Sequence, residues 1–471
     1  MMPRDNRYRN VLLILVVMSL AYAGQLIVDI CRPKFEGADS TIGLLGGSTP
    51  TIVRISVWWV FAGWGLAVLT GLVGLARQAA LHPADRERNR VLFQGLVAGI
   101  LAFSFTGYPF GLIVTNPSGF FICIPSTAFA GWVIYRMQRY RRMPARMIFL
   151  ALAWGGLVGS GFGGSMNLWW MDYAGGFFVH SGNPLQVMHD IGVGTAVSAG
   201  ISEELGKGAG IAILCILYRR YVDDVVSGIV LGATVGLGFN FIESIEYMGG
   251  GNPTFQYFAR QSLGLMASHV AFSAVVGAGF GLARTMRSGR LVIGCAFMAA
   301  IGGHYGADSL LPYFAHVKQD WFGNPSDWVD SLVLLPMQIA VTSGPLVLMY
   351  LLWWRHGMRE QQRFLAEELA LETLVGFGGV SEAEVPVLLN PSARFFYRVR
   401  AFQHGGLTEY RILTRLYAAQ LDLGTTRWHR RENSLDRFAE NETSIRRRIG
   451  ELRIQLAGLE RDRTGAYAWS S

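Results

Sequence analysis

Stretches of about 20 mostly apolar residues recur ten times in the first 354 positions of this chain, near 11–30, 53–76, 91–114, 119–135, 147–171, 198–218, 225–247, 261–284, 291–313 and 330–354. A run of that length crosses the roughly 30 Å hydrocarbon core of a bilayer as a helix. In lipid every backbone polar group must find its partner within the protein, which leaves helices or a closed barrel. The short alternating segments of a barrel are absent from the sequence. Composition agrees: 51% of residues are hydrophobic and 16% charged, against about a quarter charged in soluble proteins. The expected fold is all-α: a polytopic helical membrane protein with about ten transmembrane helices and a soluble helical C-terminal tail.

Arginine alternates from loop to loop. The N-terminus (Arg4, Arg7, Arg9), ARQAALHPADRERNR, YRMQRYRRMPAR, YRRYVDD, RTMRSGR and the start of the tail are rich in it, whereas TNPSG, GGGNPTFQYFA and HVKQDWFGNPSDW are poor. By the positive-inside rule this predicts a multi-pass protein of the cell membrane with both termini cytoplasmic. It also accounts for the net charge of +8 without a nucleic-acid partner; the bilayer is the expected partner. MMPRDNRYRN followed by VLLILVVMSLAYA has the form of a secretory signal. Apolar character continues through GQLIVDI, however, which favours a first membrane helix. The four cysteines show no C-x-x-C spacing and predict neither a disulfide framework nor a thiol metal site.

The chain divides into a transmembrane region of about five helices (1–197), a charge-bearing transmembrane core (198–354) and a cytoplasmic helical tail (355–471). In the tail, Leu435, Phe438, Glu442, Ile445, Ile449, Leu452, Leu456 and Leu459 follow the 3-4 spacing of a short coiled-coil seam. Such a seam either packs an amphipathic helix on the rest of the tail or joins two copies as a homodimer. Asn441-Glu442-Thr443 fits the N-glycosylation pattern by chance, since the tail is expected to be cytoplasmic.

The first five spans are almost free of ionisable groups away from their ends. The next four carry Glu203, Glu204 and Lys207; Glu243 and Glu246; His269; and His304 with Asp308. A charged residue at the centre of a membrane helix costs about 2.5–3.5 kcal/mol on insertion scales and marks a functional site. Their depths agree. Glu204 is 15 residues from Arg219, Glu243 19 from Asp224, His269 15 from Arg284 and His304 14 from Arg290. At about 1.5 Å per residue, all four lie roughly 21–29 Å from the cytoplasmic boundary, in the outer half of the bilayer. Lys207 can reach Glu203 and Glu204, and His304 lies over Asp308. Lysine is scarce, three of 41 basic residues, so its use here points to a shape requirement. Glu246 is expected near the membrane surface. His180, His189 and His316 fall in outer loops, and His356, His404 and His429 in the tail.

Three chemistries use such a set. Histidines and a carboxylate can hold Zn²⁺ with an open position for water, or a glutamate can act as a metal-free general base. Buried Glu, Lys, His and Asp can instead relay protons or ions in a transporter. They can also simply neutralise one another. The residues alone leave all three open.

The blocks SEELGKG, GATVGLGFNFIES, SHVAFSAVVGAGFGLA and GGHYGAD resemble, in order and helical placement, the motif series of the PrsW family of intramembrane proteases. That family is similar to the wider group of CAAX prenyl endopeptidases and bacteriocin-processing membrane proteins. Glu203, Glu204 and Lys207 match its E-E-x-x-K motif, Phe239 and Glu243 its F-x-x-x-E, His269 its histidine, and His304 with Asp308 its H-x-x-x-D. The resemblance covers about 198–310 and departs at Ser244, where many members have asparagine. It implies an endopeptidase cutting a membrane-anchored protein, such as an anti-sigma factor or a processed peptide. One of Glu203 and Glu204 would activate water and Lys207 would orient the pair. Glu204, Glu243, His269 and His304 would hold a metal, with Zn²⁺ the expected ion and a metal-free mechanism the alternative.

Overall fold

The structure, a computed structural model, describes residues 6–31, 49–178, 192–250, 252–322, 329–375, 378–431 and 441–468. His180 and His189, and Leu435 and Phe438 of the seam, lie outside them, as does the side chain of His316. Every regular element among the described residues is helical. In order they are α1 (Arg7–Cys31), α2 (Thr49–Ala80), α3 (Pro83–Ser104), α4 (Gly107–Thr115), α5 (Pro117–Arg136), α6 (Ala145–Ala153) and α7 (Ser160–Phe178). There follow α8 (Glu204–Leu217), α9 (Val225–Gly250), α10 (Pro253–Phe258), α11 (Ser268–Leu282), α12 (Gly289–Phe322), α13 (Leu335–Thr342), α14 (Gly344–Val375), α15 (Glu384–Leu389), α16 (Pro391–Arg431) and α17 (Glu442–Ala468). Wider π turns interrupt them at Trp154–Gly159, Ala199–Glu203, Ala259–Leu263 and Asp330–Leu334.

Among the described residues seven helices are long and apolar enough to cross a membrane, and nine if two bent pairs each count as one span. The tenth expected span is helical too, but Glu203, Glu204 and Lys207 stand within the 19 residues Ala199–Leu217 and set it apart from the purely apolar runs. The expected span 91–114 bends by 41° between α3 and α4. There Ser104 and Thr106 donate their hydroxyls to the carbonyls three residues back, and Pro109 has no N–H to give. The expected span 330–354 bends by 59° at Ser343, just before Gly344-Pro345. Helix α1 runs unbroken through the Ala21-Tyr22-Ala23 stretch and buries Leu15, Met18 and Tyr22 against α2, α3 and α7, as a membrane helix does.

The chain forms two compact units, Met1–Tyr135 with Pro144–Trp353, and Arg136–Met143 with Trp354–Ser471. In the first unit α9 is the central post. Its span is 94% buried, against 17% for α2 and α12, whose apolar side chains face outward as lipid contact requires. Burial of that degree follows from small residues. Gly228, Gly232 and Gly236, one turn apart on α9, abut the carbonyls of Gly277, Ser273 and His269 on α11, and a Cβ at any of them would collide with backbone. Without a hydrophobic force between helices in lipid, such close approach supplies the packing energy. The other face of α9 does the same through Gly238, which abuts Leu152 and Gly156.

In the second unit the seam is covered. Ile445, Ile449 and Leu452 of α17 bury themselves against Ile412, Leu416, Ala419 and Leu423 of α16. Among the described residues this part of the seam packs on the same chain, the first of the two readings the spacing offers. Glu442, the acidic residue in the seam, is met by Arg446 at 2.9 Å and Arg430 at 2.8 Å. Glu372 accepts two hydrogen bonds from Arg446, at 2.8 and 2.7 Å, and one from Arg427 at 2.8 Å. The short segment Arg136–Met143 is bound into this unit as well. Tyr140 donates to the Leu389 carbonyl at 2.9 Å, Arg394 to the Arg139 carbonyl at 2.7 Å and Trp354 to the Met137 carbonyl at 3.1 Å.

Candidate active site

All seven site residues expected from the sequence, Glu203, Glu204, Lys207, Glu243, His269, His304 and Asp308, meet in one cluster beside α9. Three of the four π turns surround it. A π turn adds a residue to a helical turn and is found mostly at functional sites. The first, Trp154–Gly159, brings glycines close: Gly159 lies against Lys207, Gly206 abuts the Gly159 carbonyl, and Gly163 of α7 faces the Glu203 backbone. The second ends at Glu203 itself. The third carries Arg260 and Gln261. The turn after it leads into Ser268, whose φ of 43° is an uncommon conformation for a side-chain-bearing residue. His269 follows at once, in the first turn of α11.

Lys207 is fully buried. Its ammonium lies 2.5 Å from Glu204 Oε1, 3.0 Å from His269 Nδ1, 4.0 Å from Glu203 Oε2 and 4.3 Å above the Phe239 ring. That position suits a compact ammonium with rotatable donors better than a planar guanidinium. His304 Nδ1 lies 2.9 Å from Glu204 Oε1, and its ring stacks on Phe272. His269 Nε2 pairs with Glu243 Oε2, and Arg260 Nη1 reaches the same oxygen at 3.0 Å.

Each histidine spends one nitrogen on a carboxylate; the other lies near Glu203, with Lys207 3.0 Å from it in His269 and Asp308 3.4 Å from it in His304. The distances to Glu203 Oε2 are 3.7 Å from His304 Nε2 and 4.0 Å from His269 Nδ1. Glu203 Oε2 is itself buried and accepts no hydrogen bond. An orphaned buried carboxylate oxygen is costly unless something charged or protic meets it. Ligand atoms of Glu203, His269 and His304 all lie within 4.8 Å of one another, as a metal site requires. The outward hydrogen bonds from each imidazole to Glu204 and Glu243 are those that orient metal-binding histidines. The donor set, two imidazoles and one carboxylate, fits Zn²⁺ with a position left over. Of the expected ligands, His269 and His304 belong to this group, while Glu204 and Glu243 are bonded to their other ring nitrogens. Asp308 completes the cluster at 3.4 Å from His304 Nε2, with 36% of its side chain exposed.

Sequence reasoning missed Arg260, which also stacks over Tyr247 at 3.5 Å, and Gln261. Gln261 donates to Ser244 at 2.8 Å and accepts from Ser126 at 2.7 Å, tying the third π turn to α9 and α5. Ser244 thereby has a structural partner. Glu246 is half-buried near Tyr108 and Arg260 and stands outside the cluster.

Comparison with known proteins agrees with this geometry. Residues 143–319 match the family model described as PrsW family intramembrane metalloprotease. The resemblance carried by the motifs thus holds and extends further than they did. It begins at Met143 and takes in α6 and α7, the span whose glycines cradle Lys207 and Glu203. The match spans less than half of the chain, and the described family is one of intramembrane metalloproteases. No curated protein and no solved structure matches the chain.

Proposed function

We propose that this PrsW-type core hydrolyses a peptide bond of a membrane-anchored protein at the depth of the charged layer, in the outer half of the bilayer. One observation carries the reading: a Glu203 oxygen that accepts no hydrogen bond and is faced by two histidine nitrogens. Glu203, His269 and His304 are the residues that would hold a zinc ion. When bound, such an ion lowers the pKa of a water to about 7 and polarises a carbonyl. The chain's own residues set the stage for it. Glu204 fixes the tautomer of His304 by taking its Nδ1 proton in a hydrogen bond, and Glu243 fixes that of His269 at Nε2. Lys207 balances the charge of Glu204 and restrains Glu203 from turning away. Asp308, the most exposed acid of the group, stands where a substrate chain and water enter.

Cleavage of single-pass membrane substrates by the purified protein tests the reading. Glu203→Gln and His304→Ala are each expected to lower the rate by about 10²–10⁴-fold, the range of a lost acid–base or electrostatic group. Chelation should abolish cleavage, and zinc should restore it in the wild type but not in His304→Ala. Cleavage that survives both substitutions removes this site from the reaction. Proton or ion flux in liposomes without cleavage of any substrate would assign the cluster to transport instead.

A further inference from the structure

About 20 Å along α8 from Glu204, at the Leu217 end of the helix, the first unit encloses a second polar feature. A cavity of about 1000 Å³ opens between the ends of α1, α8, α11 and α12. Arg7, Arg219, Arg284, Arg287 and Arg290 line it, and no carboxylate does. Among the described residues no acid lies within ion-pair distance of Arg219, Arg284, Arg287 or Arg290. Asp223 is near enough to act on Arg284, and Asp224 accepts a hydrogen bond from the Ser227 amide at 2.7 Å where α9 begins. Burial, together with the neighbouring Arg219 guanidinium, holds Arg284 below its ordinary value, with Asp223 offsetting part of the effect.

The remaining walls are apolar, with Ile216, Phe280 and Leu291 among them. The long helix α12 starts at the rim, with Ser288 and Gly289 in the lining. The N-terminus of that helix thus lies at the cavity, and a helix N-terminus favours an anion. The cavity also lies at the level where the apolar spans end. The span ending at Leu282 and those beginning at Arg7 and Gly289 all meet there. General arginine enrichment of one set of loops explains the presence of the residues. It does not explain why five of them line one half-apolar cavity between four helix ends.

We propose that this cavity is a binding site for an anionic glycerophospholipid, its phosphate held among the guanidinium groups and its acyl chains laid along the apolar wall. Arginine suits phosphate through its planar, bidentate donor geometry, and basic pockets between membrane helices bind acidic headgroups.

The test uses the full-length protein in neutral detergent, titrated with phosphatidylglycerol or phosphatidylcholine. Bound lipid is counted by native mass spectrometry and thermal stabilisation is followed in parallel. The wild type should prefer phosphatidylglycerol at least 10-fold. Combined Arg219→Gln, Arg284→Gln and Arg287→Gln should bring that preference close to one. An equal loss of charge elsewhere, by Arg77→Gln, Arg86→Gln and Arg88→Gln, should leave it intact. Leu291→Trp, which narrows the cavity and keeps every charge, should weaken phosphatidylglycerol several-fold. It probes the same site even if the triple variant fails to fold. Equal effects of the two triple variants, or phosphatidylglycerol binding undiminished by Leu291→Trp, would overturn the site. Stabilisation by inorganic phosphate, with none from phosphatidylglycerol, would overturn the lipid as its occupant.

Discussion

Adjacent carboxylates on a helix point about 100° apart, and the π turn that ends at Glu203 separates this pair further in role. Glu204 is engaged on one oxygen by both Lys207 and His304, whereas Glu203 turns its free oxygen to the two imidazoles. Glu204→Gln keeps an acceptor for His304 and loses only charge, so its cleavage rate should fall about tenfold, well short of the loss from Glu203→Gln. Arg260 acts at one remove, through Glu243 and His269. Arg260→Gln should weaken zinc binding by about 10–100-fold, the range for groups that orient a ligand, as read by competition with a chromophoric chelator. The seven charged residues were legible because a charge in an apolar run stands out whatever its neighbours. Arg260 was not, because it falls between the arginine-poor stretch GGGNPTFQYFA and the start of an expected span. The roles of the two acids were equally hidden, since a 3.6-residue period contains no sign of a π turn.

At the scale of elements the sequence placed the apolar runs well and their breaks poorly. The small residues of α9 and α11 were read as close packing, and the contacts of Gly232 and Gly277 show what they are for. A side chain at Gly232 has backbone on the far side and nowhere to go. Gly232→Val should cost about 3 kcal/mol or more and appear as aggregation or a lowered melting temperature in detergent. Gly99→Ala, where nothing stands within 4 Å, should be neutral or slightly stabilising. In the second unit Glu372 is buried against two arginines. Removing it by Glu372→Ala strands both charges and should destabilise that unit by about 3–5 kcal/mol, seen as faster amide exchange in α16 and α17. The 3-4 spacing of Ile445 to Leu459 was legible as an apolar stripe. Its partner was not, because α16 offers the matching stripe more than 20 residues earlier and a period names no address.

For the whole molecule, the hydrogen bonds from Tyr140 to Leu389 and from Arg394 to Arg139 have a consequence for how the chain is threaded. Residues bonded directly to one another share a compartment. The chain between Met143 and Trp354 must therefore traverse the bilayer an even number of times. Among the described residues five segments in that interval, one of them a bent pair, are apolar enough to do so, an odd number. If all five cross, parity is restored when Ala199–Leu217 traverses as well, carrying Glu203, Glu204 and Lys207 with it. Single cysteines replacing Arg141 and Ser392 in a chain freed of its native thiols should be reached by an impermeant maleimide from the same side of sealed vesicles. Labelling from opposite sides would mean that this segment turns back. A hydrogen bond in a loop thus fixes the parity of crossings, which hydropathy cannot.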